Sequence, residues 1–140
     1  MFLLFSLVLF SNCVSVKPIY NSDEQAKAER AVSEIHKLYN EQNFDELYNH
    51  LDEETRLNIP KDTILTGIKQ TFEKWGKIQS ANLSQAKVIP STQIQVRMIY
   101  NIKYEKGDGQ EWYIAVIRGD KAYIVQVRNF EGFDKGESGK

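Results

Sequence analysis

The sequence predicts an α+β domain in which three N-terminal helices are followed by a four-stranded antiparallel sheet. Apolar residues recur at helical spacing in three stretches of the first half, and they alternate with polar residues in the second half. The last two predicted strands are joined by Gly119-Asp120, a two-residue loop suited to a hairpin. A chain of 140 residues has room for one domain with a single core.

The three predicted helices each have one apolar side. The first spans about Asp23–Asn40, a short second one begins near Phe44, and the third spans about Asp62–Trp75. The polar segment Asp52–Asn58 is predicted to be a connecting loop. Gly76 directly follows the third helix and is placed to end it. Each helix must bury its apolar side, and the sheet supplies the surface.

The four predicted strands differ in regularity. The segment between Ile78 and Pro90 has no clean alternation, which is typical of an edge strand. Gln93–Tyr104 alternates almost perfectly between apolar and polar residues, so one of its faces is buried. Glu111–Arg118 and Lys121–Arg128 then form the closing hairpin.

The hairpin register assigns the side chains of the last two strands to two faces. With Arg118 opposite Lys121, Glu111 lies opposite Arg128 on the convex outer face. The concave inner face, toward the helices, then contains no carboxylate and no histidine. We expect a pocket there whose lining includes Met98, Tyr100, Trp112 and Tyr123.

The convex outer face is predicted to be an interface. Its apolar side chains include Ile99, Tyr113, Ile117 and Ile124. An apolar patch of this kind is larger than a solvated face needs. We therefore expect a homodimer, or docking of a partner, through the convex face of the sheet.

The N-terminal segment has the pattern of a leader. The apolar run Met1–Phe10 is too short to span a membrane, and Cys13, the single cysteine, follows it closely. This arrangement resembles a bacterial lipoprotein signal. The resemblance implies a lipid anchor at Cys13 and a membrane-attached location in the bacterial cell envelope. The alternative is a buried N-terminal strand or helix with an inert free cysteine.

The predicted organisation of the chain has four parts. Residues 1–12 form the lipoprotein-type signal peptide, and residues 13–21 form a tether in which Pro18 opposes a helix. The folded domain spans residues 22–130. Residues 131–140, rich in glycine and charge, are predicted to be a flexible tail.

Composition and spacing exclude several classes of partner. A net charge of −1 provides no basic footprint for a nucleic acid. The His, Cys, Asp and Glu residues do not recur at metal-ligand spacing, and the sequence has no phosphate-binding loop or nucleophile motif. We therefore expect no nucleic-acid partner, no metal and no cofactor.

Two segments resemble a known superfamily. The second-helix entry Leu38–Tyr48 and the terminal hairpin Trp112–Val127 are similar to those of the NTF2-like (cystatin-like α+β) superfamily. Within it, the chain is most similar to uncharacterised bacterial lipoproteins. The resemblance implies helices packed on a curved sheet that forms a cone. The superfamily includes isomerases, dehydratases, transport factors and lipoproteins of unknown role, so the fold does not specify the function.

The predicted function is binding of an unidentified small molecule or protein at the cell envelope. Because the inferred inner face lacks a general acid or base, the chain is predicted not to be an enzyme. The alternative is a cavity enzyme of the isomerase or dehydratase type, in which a tyrosine works with His36 or His50. An ionisable group at the floor of the cone favours the enzyme, and an all-apolar lining favours binding. A third option is a structural protein with a filled core.

Overall fold

The computed structural model describes residues 21–131, which form four helices and four strands. The helices are α1 (Asn21–Asn40), α2 (Phe44–Asn49), α3 (Glu53–Asn58) and α4 (Lys61–Trp75). The strands are β1 (Ile78–Ile89), β2 (Gln95–Tyr104), β3 (Gly107–Arg118) and β4 (Lys121–Glu131). The α+β class is confirmed, with helices followed by an open antiparallel sheet.

Helix α3 occupies the polar segment that was predicted to be a loop, so the described residues contain four helices instead of three. The Asp52 carboxylate caps the helix by accepting a hydrogen bond from the backbone N–H of Glu54 at 3.1 Å. Glu53 and Glu54 lie in the first turn, where the helix dipole favours negative charge. A helix of six residues is too short to show an apolar repeat.

The sheet is a meander in the order β1-β2-β3-β4. Edge strand β1 pairs with β2 through a register that shifts after Ile78 and again after Leu83. Each shift changes which residues face the core, and this explains the missing alternation in the predicted edge strand.

The turn between β2 and β3 determines which side of β3 faces the helices. Tyr104 pairs with Gly107 across the two-residue loop Glu105-Lys106. This register places the even-numbered residues of β2 on the same face as the odd-numbered residues of β3. The predicted faces of β3 are therefore wrong, because a slip of one residue inverts every side chain of a strand.

The predicted β3–β4 hairpin is confirmed near its turn and wrong farther away. From the turn to the Ala115–Ile124 pair, the strands follow the predicted register. A bulge then adds one residue to β4, so Glu111 pairs with Asn129 instead of Arg128. Beyond the bulge, each residue of β4 therefore lies on the face opposite to the one that the register near the turn would give it.

The inner face of the sheet packs against the helices, and the outer face is on the opposite side. Buried strand residues of the inner face are Val96, Met98, Tyr100, Ile102, Tyr104, Glu111, Tyr113, Ala115, Ile117 and Ile124. Register assigns to the outer face Ser80, Asn82, Gln85, Lys87, Gln95, Arg97, Ile99, Asn101, Lys103, Asp108, Gln110, Trp112, Ile114, Val116, Arg118, Lys121, Tyr123, Gln126 and Arg128.

The helices pack on the inner face unequally. Helix α1 contacts all four strands and buries Ala28, Val32 and Ile35. Helix α4 packs mainly against α2, and none of its residues is fully buried. Space therefore remains between α4 and the inner face. In the described part of the chain, no helix has the length and apolar character needed to cross a membrane.

Candidate functional site

A cavity of about 520 Å³ lies between the helices and the inner faces of β3 and β4. This volume is within the usual range for small-molecule sites. Helix α4 supplies one wall and strand β4 the wall opposite it. The apolar residues that line the cavity are Ile35, Leu47, Leu51, Ile59, Ile64, Ile68, Ile78, Val125 and Val127.

Two threonines on the cavity wall have their hydroxyl groups bonded to the backbone. The Thr55 hydroxyl donates to the carbonyl oxygen of Val125 at 3.0 Å. The Thr71 hydroxyl donates to the carbonyl oxygen of Gly67, one turn earlier in α4, at 2.9 Å. Because these hydroxyls already donate, they offer a ligand only acceptor positions. Further polar groups in the lining come from Thr63, Gln126 and Asn129.

One part of the wall carries a polar cluster. Glu111 is only 5% exposed, and it lines the cavity together with His36 and Tyr113. The Glu111 Oε2 atom lies 2.7 Å from His36 Nε2 and accepts a hydrogen bond from the Tyr113 hydroxyl at 2.5 Å. The Tyr104 hydroxyl donates to Glu111 Oε1 at 2.6 Å. Three donors thus surround one buried carboxyl group.

The surrounding donors decide the charge of Glu111. Burial alone raises the pKa of its carboxyl group, but the hydrogen bonds from His36, Tyr104 and Tyr113 outweigh burial and lower the pKa. Burial, and then the negative charge of Glu111, raises the pKa of Tyr104 and Tyr113. At neutral pH the cluster therefore holds an ionised carboxylate and two protonated tyrosines. An ionised carboxylate only accepts, so His36 Nε2 carries the proton of that hydrogen bond.

The Glu111 carboxylate keeps room for one more hydrogen bond. An ionised carboxylate offers about four acceptor positions, two on each oxygen. Among the residues that the structure describes, Oε2 accepts from His36 and Tyr113, whereas Oε1 accepts from Tyr104 alone. One position on Oε1 is left over, and a donor on a bound molecule is suited to fill it.

Glu111 could not be assigned to the inner face from the sequence pattern, because β3 is apolar on both of its faces. Trp112, Ile114 and Val116 alternate with Tyr113, Ala115 and Ile117, so alternation alone favours neither set. The informative signal was the Glu105-Lys106-Gly107 turn, whose length determines the face of every β3 residue.

The predicted pocket lining is partly wrong. Met98 and Tyr100 are buried on the inner face as predicted, but they belong to the filled core and do not line the cavity. Trp112 lies on the outer face and is 42% exposed. Tyr123 pairs with Val116 on the outer face. Both were misplaced by the inverted register of β3.

The predicted interface residues are divided between the two faces of the sheet. Ile99 lies on the outer face as expected. Tyr113, Ile117 and Ile124 are instead buried on the inner face, with exposures of 2%, 9% and 0%. The homodimer stays a prediction, and only Ile99 of its four named residues is on the face proposed for it.

The remaining predicted site residues have different outcomes. His36 lines the cavity. The His50 side chain is 37% exposed, lies 3.8 Å from the Glu46 carboxylate, and does not line the cavity. Among the residues described, no three His, Cys, Asp or Glu side chains are grouped as metal ligands would be. Cys13 and the predicted leader lie outside the described residues.

Comparisons with known proteins support the fold and identify a family. The structure of Bdellovibrio bacteriovorus Bd1075 matches with a TM-score of 0.51 and 17% identity, over 75% of this chain and 39% of that one. This chain thus spans well under half of that neighbour, and the likeness concerns the fold alone. No curated protein matches the sequence. The fold is consistent with an NTF2-like cone. A family model matches residues 32–111, more than half of the chain, and the chain belongs to this family, described as "Protein of unknown function (DUF3887)".

Proposed function

We propose that the protein is a binding module that holds a small apolar molecule in the cavity beside α4. The observation that supports this most strongly is the ionised, buried Glu111 in a largely apolar lining, with one acceptor position unfilled. A buried ligand hydroxyl or N–H needs a partner, because an unpaired polar group costs about 1–3 kcal/mol. The ligand class is therefore an apolar molecule with one hydrogen-bond donor.

We also propose that the protein is an NTF2-like lipoprotein, anchored through Cys13 in the bacterial cell envelope. The apolar run Met1–Phe10, which ends three positions before the single cysteine, supports this proposal. Mass spectrometry of the mature N-terminus tests it. We expect a lipid mass that disappears in Cys13→Ala, and an unmodified, uncleaved Met1 would contradict the anchor.

Decanol is a suitable probe for the cavity, with methyl-resolved NMR as the measurement. We expect decanol to shift the methyl signals of Ile64 and Ile68, which line the cavity. The signals of Ile99 and Ile114, on the outer face, provide an internal control and should not move. Equal shifts at all four isoleucines would indicate non-specific association and count against the cavity.

Gly67 offers a matched pair of variants for the same titration. It lines the cavity from α4, and a Cβ atom added there meets no atom within 4 Å. Gly67→Phe should therefore fill the cavity and abolish the decanol shifts, whereas Gly67→Ala should retain them. If Gly67→Phe folds and still binds decanol, the ligand lies elsewhere.

The second candidate function is a cavity enzyme, and His36 favours it. Glu111 fixes the orientation of the His36 ring on the cavity wall, an arrangement that suits a general base. Other features count against the enzyme. The lowered pKa of Glu111 and the raised pKa of Tyr113 oppose proton transfer by those two groups near neutral pH. Recovery of every bound molecule unchanged supports binding. Conversion that is lost in His36→Asn supports the enzyme.

A further inference from the structure

The outer face of the sheet carries three exposed cations close together. Lys87 and Arg97 are direct cross-strand partners between β1 and β2, and both side chains are exposed. Arg128 is exposed on β4 and pairs with Trp112. These residues border a shallow groove of about 440 Å³ across the sheet.

Among residues 21–131, no acidic residue lines the groove beside these cations. In the described strands, register places one acidic residue, Asp108, on the outer face, where it pairs with Lys103 near the β2–β3 turn and does not line the groove. Among the described side chains, none of the three cations forms a salt bridge. Like charges placed directly opposite on neighbouring strands are unfavourable. The Lys87–Arg97 pair is therefore costly in the free protein and becomes favourable beside an anionic surface.

The groove between the cations has an aromatic and aliphatic floor. Trp112 is 42% exposed, and Ile99 lies directly across from it on β2. The Trp112 indole N–H donates to the Gln110 side-chain oxygen at 3.3 Å, which holds the ring in place. In the amide orientation that satisfies both groups, the Gln126 oxygen accepts from the Arg128 guanidinium at 2.9 Å. The cation and the ring are thus both held in position before any partner arrives.

We propose that this face binds the surface of a bilayer that contains anionic lipids. A half-exposed tryptophan between arginine and lysine side chains matches the membrane–water interface, where indole rings settle among headgroups. Cations near an anionic leaflet each add to the attraction. A second copy of the chain is a poorer partner, because a symmetric contact between two grooves would bring six cations together, and no acidic residue of the described chain lines the groove.

The proposed lipid anchor would place the face within reach of a membrane. Residues 14–20 separate Cys13 from α1, a span of at most about 28 Å when extended. The binding inferred here needs no anchor, since it arises from Trp112 and the cations. It is also separate from ligand binding in the cavity, which lies on the inner face.

Vesicle co-sedimentation of the full chain carrying Cys13→Ser tests the proposal without a lipid anchor. The probes are vesicles of phosphatidylcholine and vesicles that also contain phosphatidylglycerol. We expect the apolar leader to associate with both compositions, so the measured quantity is the ratio of the two affinities. We expect about tenfold tighter binding to the anionic vesicles at low salt, and loss of that preference at high salt.

Two matched double variants locate the binding surface. Arg97→Gln with Arg128→Gln should remove most of the preference for anionic vesicles. Arg30→Gln with Lys69→Gln removes the same charge from exposed helix positions and should leave the preference unchanged. Equal affinity for both vesicle types, or an equal loss in both double variants, would overturn the proposal. A dimer that is detected by sedimentation and dissociated by Trp112→Asp would also overturn the proposal, because the face would then serve self-association.

Discussion

Glu111 is the residue whose environment determines the chemistry of the inner face. A lone buried carboxylate costs several kcal/mol, and here His36, Tyr104 and Tyr113 compensate by hydrogen bonding to it. Tyr100 completes the surroundings, with its ring 5.7 Å from the His36 ring and 5.8 Å from the Tyr113 ring. Burial raises the pKa of Tyr100 to about 12, so it too stays protonated at neutral pH.

Glu111→Gln should destabilise the fold. The amide carries no charge, so it accepts more weakly from the two tyrosines, and its NH2 group faces other donors. We expect a loss of about 2–4 kcal/mol in the free energy of unfolding, measured by urea denaturation. Glu41→Gln, at an exposed position, is the control and should change stability by less than about 0.5 kcal/mol. A Glu111→Gln protein as stable as the control would mean that the cluster contributes nothing.

The same carboxylate predicts a pH dependence of stability. Its pKa is lower in the folded protein than in the unfolded chain, so the stabilisation is complete above the unfolded pKa of about 4.3. As the pH falls below that value toward the folded pKa, the contribution is lost. The free energy of unfolding, measured with urea, should decline from neutral to acidic pH in the wild-type protein. This decline should be smaller in Glu111→Gln. Parallel declines in the two proteins would contradict the assignment.

At the scale of elements, α4 contains two glycines with opposite requirements. Gly67 lies in the helix interior, where glycine is less favourable than alanine, and open space lies beyond its Cα atom. Gly76 ends the helix with φ of 73° and ψ of −158°, a conformation accessible essentially to glycine alone. A Cβ atom there would also contact the Glu105 carboxylate.

The two glycine-to-alanine variants should therefore change stability in opposite directions. Gly67→Ala should stabilise the protein by about 0.5–1 kcal/mol, and Gly76→Ala should destabilise it by about 1–3 kcal/mol. Thermal and urea unfolding of both variants measure the difference. Changes of the same sign would mean that α4 does not have the described geometry.

Asp52 connects the short helix α3 to the sheet. Its side chain is 2% exposed, caps α3, and lies 2.5 Å from the Arg118 guanidinium at the β3–β4 turn. Asp52→Ala should cost about 2–4 kcal/mol in unfolding free energy, because both the cap and the ion pair are lost. Asp62→Ala, at an exposed position near the start of α4, is the comparison and should cost much less. Similar losses in the two variants would count against this role of Asp52.

The elements differ in how far the sequence could define them. Helices α1 and α4 and strand β2 were predictable because each is long enough for its apolar period to repeat. Helix α3 was not predictable from the apolar period, because it is only six residues long and depends on the Asp52 cap. The faces of β3 depended on the Glu105-Lys106 turn and those of β4 on a bulge, and neither feature alters the apolar pattern.

For the whole molecule, the cavity is a consequence of how α4 is placed. An apolar stripe on a helix has the same pattern whether it packs against a sheet or faces a ligand. In α4, Ile64 and Ile68 line the cavity and remain only partly buried. The sequence could therefore predict the helix but not the space beside it. The sequence pattern did not predict the Glu111 cluster, because the β3 register places Glu111 on the face opposite to the predicted one. Of the cluster, only His36 is a candidate for catalysis from the sequence.

The molecule presents two independent surfaces for partners. The inner face holds the cavity with the Glu111 cluster, and the outer face carries Lys87, Arg97 and Arg128 around Trp112. Gln126 lines both the cavity and the outer groove and bonds to Arg128, whereas Lys87 and Arg97 line only the groove. Variants at Lys87 and Arg97 should therefore leave the cavity unaffected. We expect Lys87→Gln with Arg97→Gln to bind decanol with unchanged affinity by calorimetry. Loss of decanol binding in that variant would show that the two faces are coupled.

The most direct test compares two ligands and two proteins by isothermal titration calorimetry. Decanol has a hydroxyl donor, whereas decyl methyl ether has none, and Glu111→Gln removes the charged acceptor. We predict that the wild-type protein binds decanol about tenfold more tightly than the ether. Glu111→Gln, once circular dichroism has shown that it is folded, should lose this preference and still bind the ether. Equal affinities of the wild-type protein for the two ligands, or a preference that survives in Glu111→Gln, would contradict the assignment of Glu111 as the ligand-recognising group.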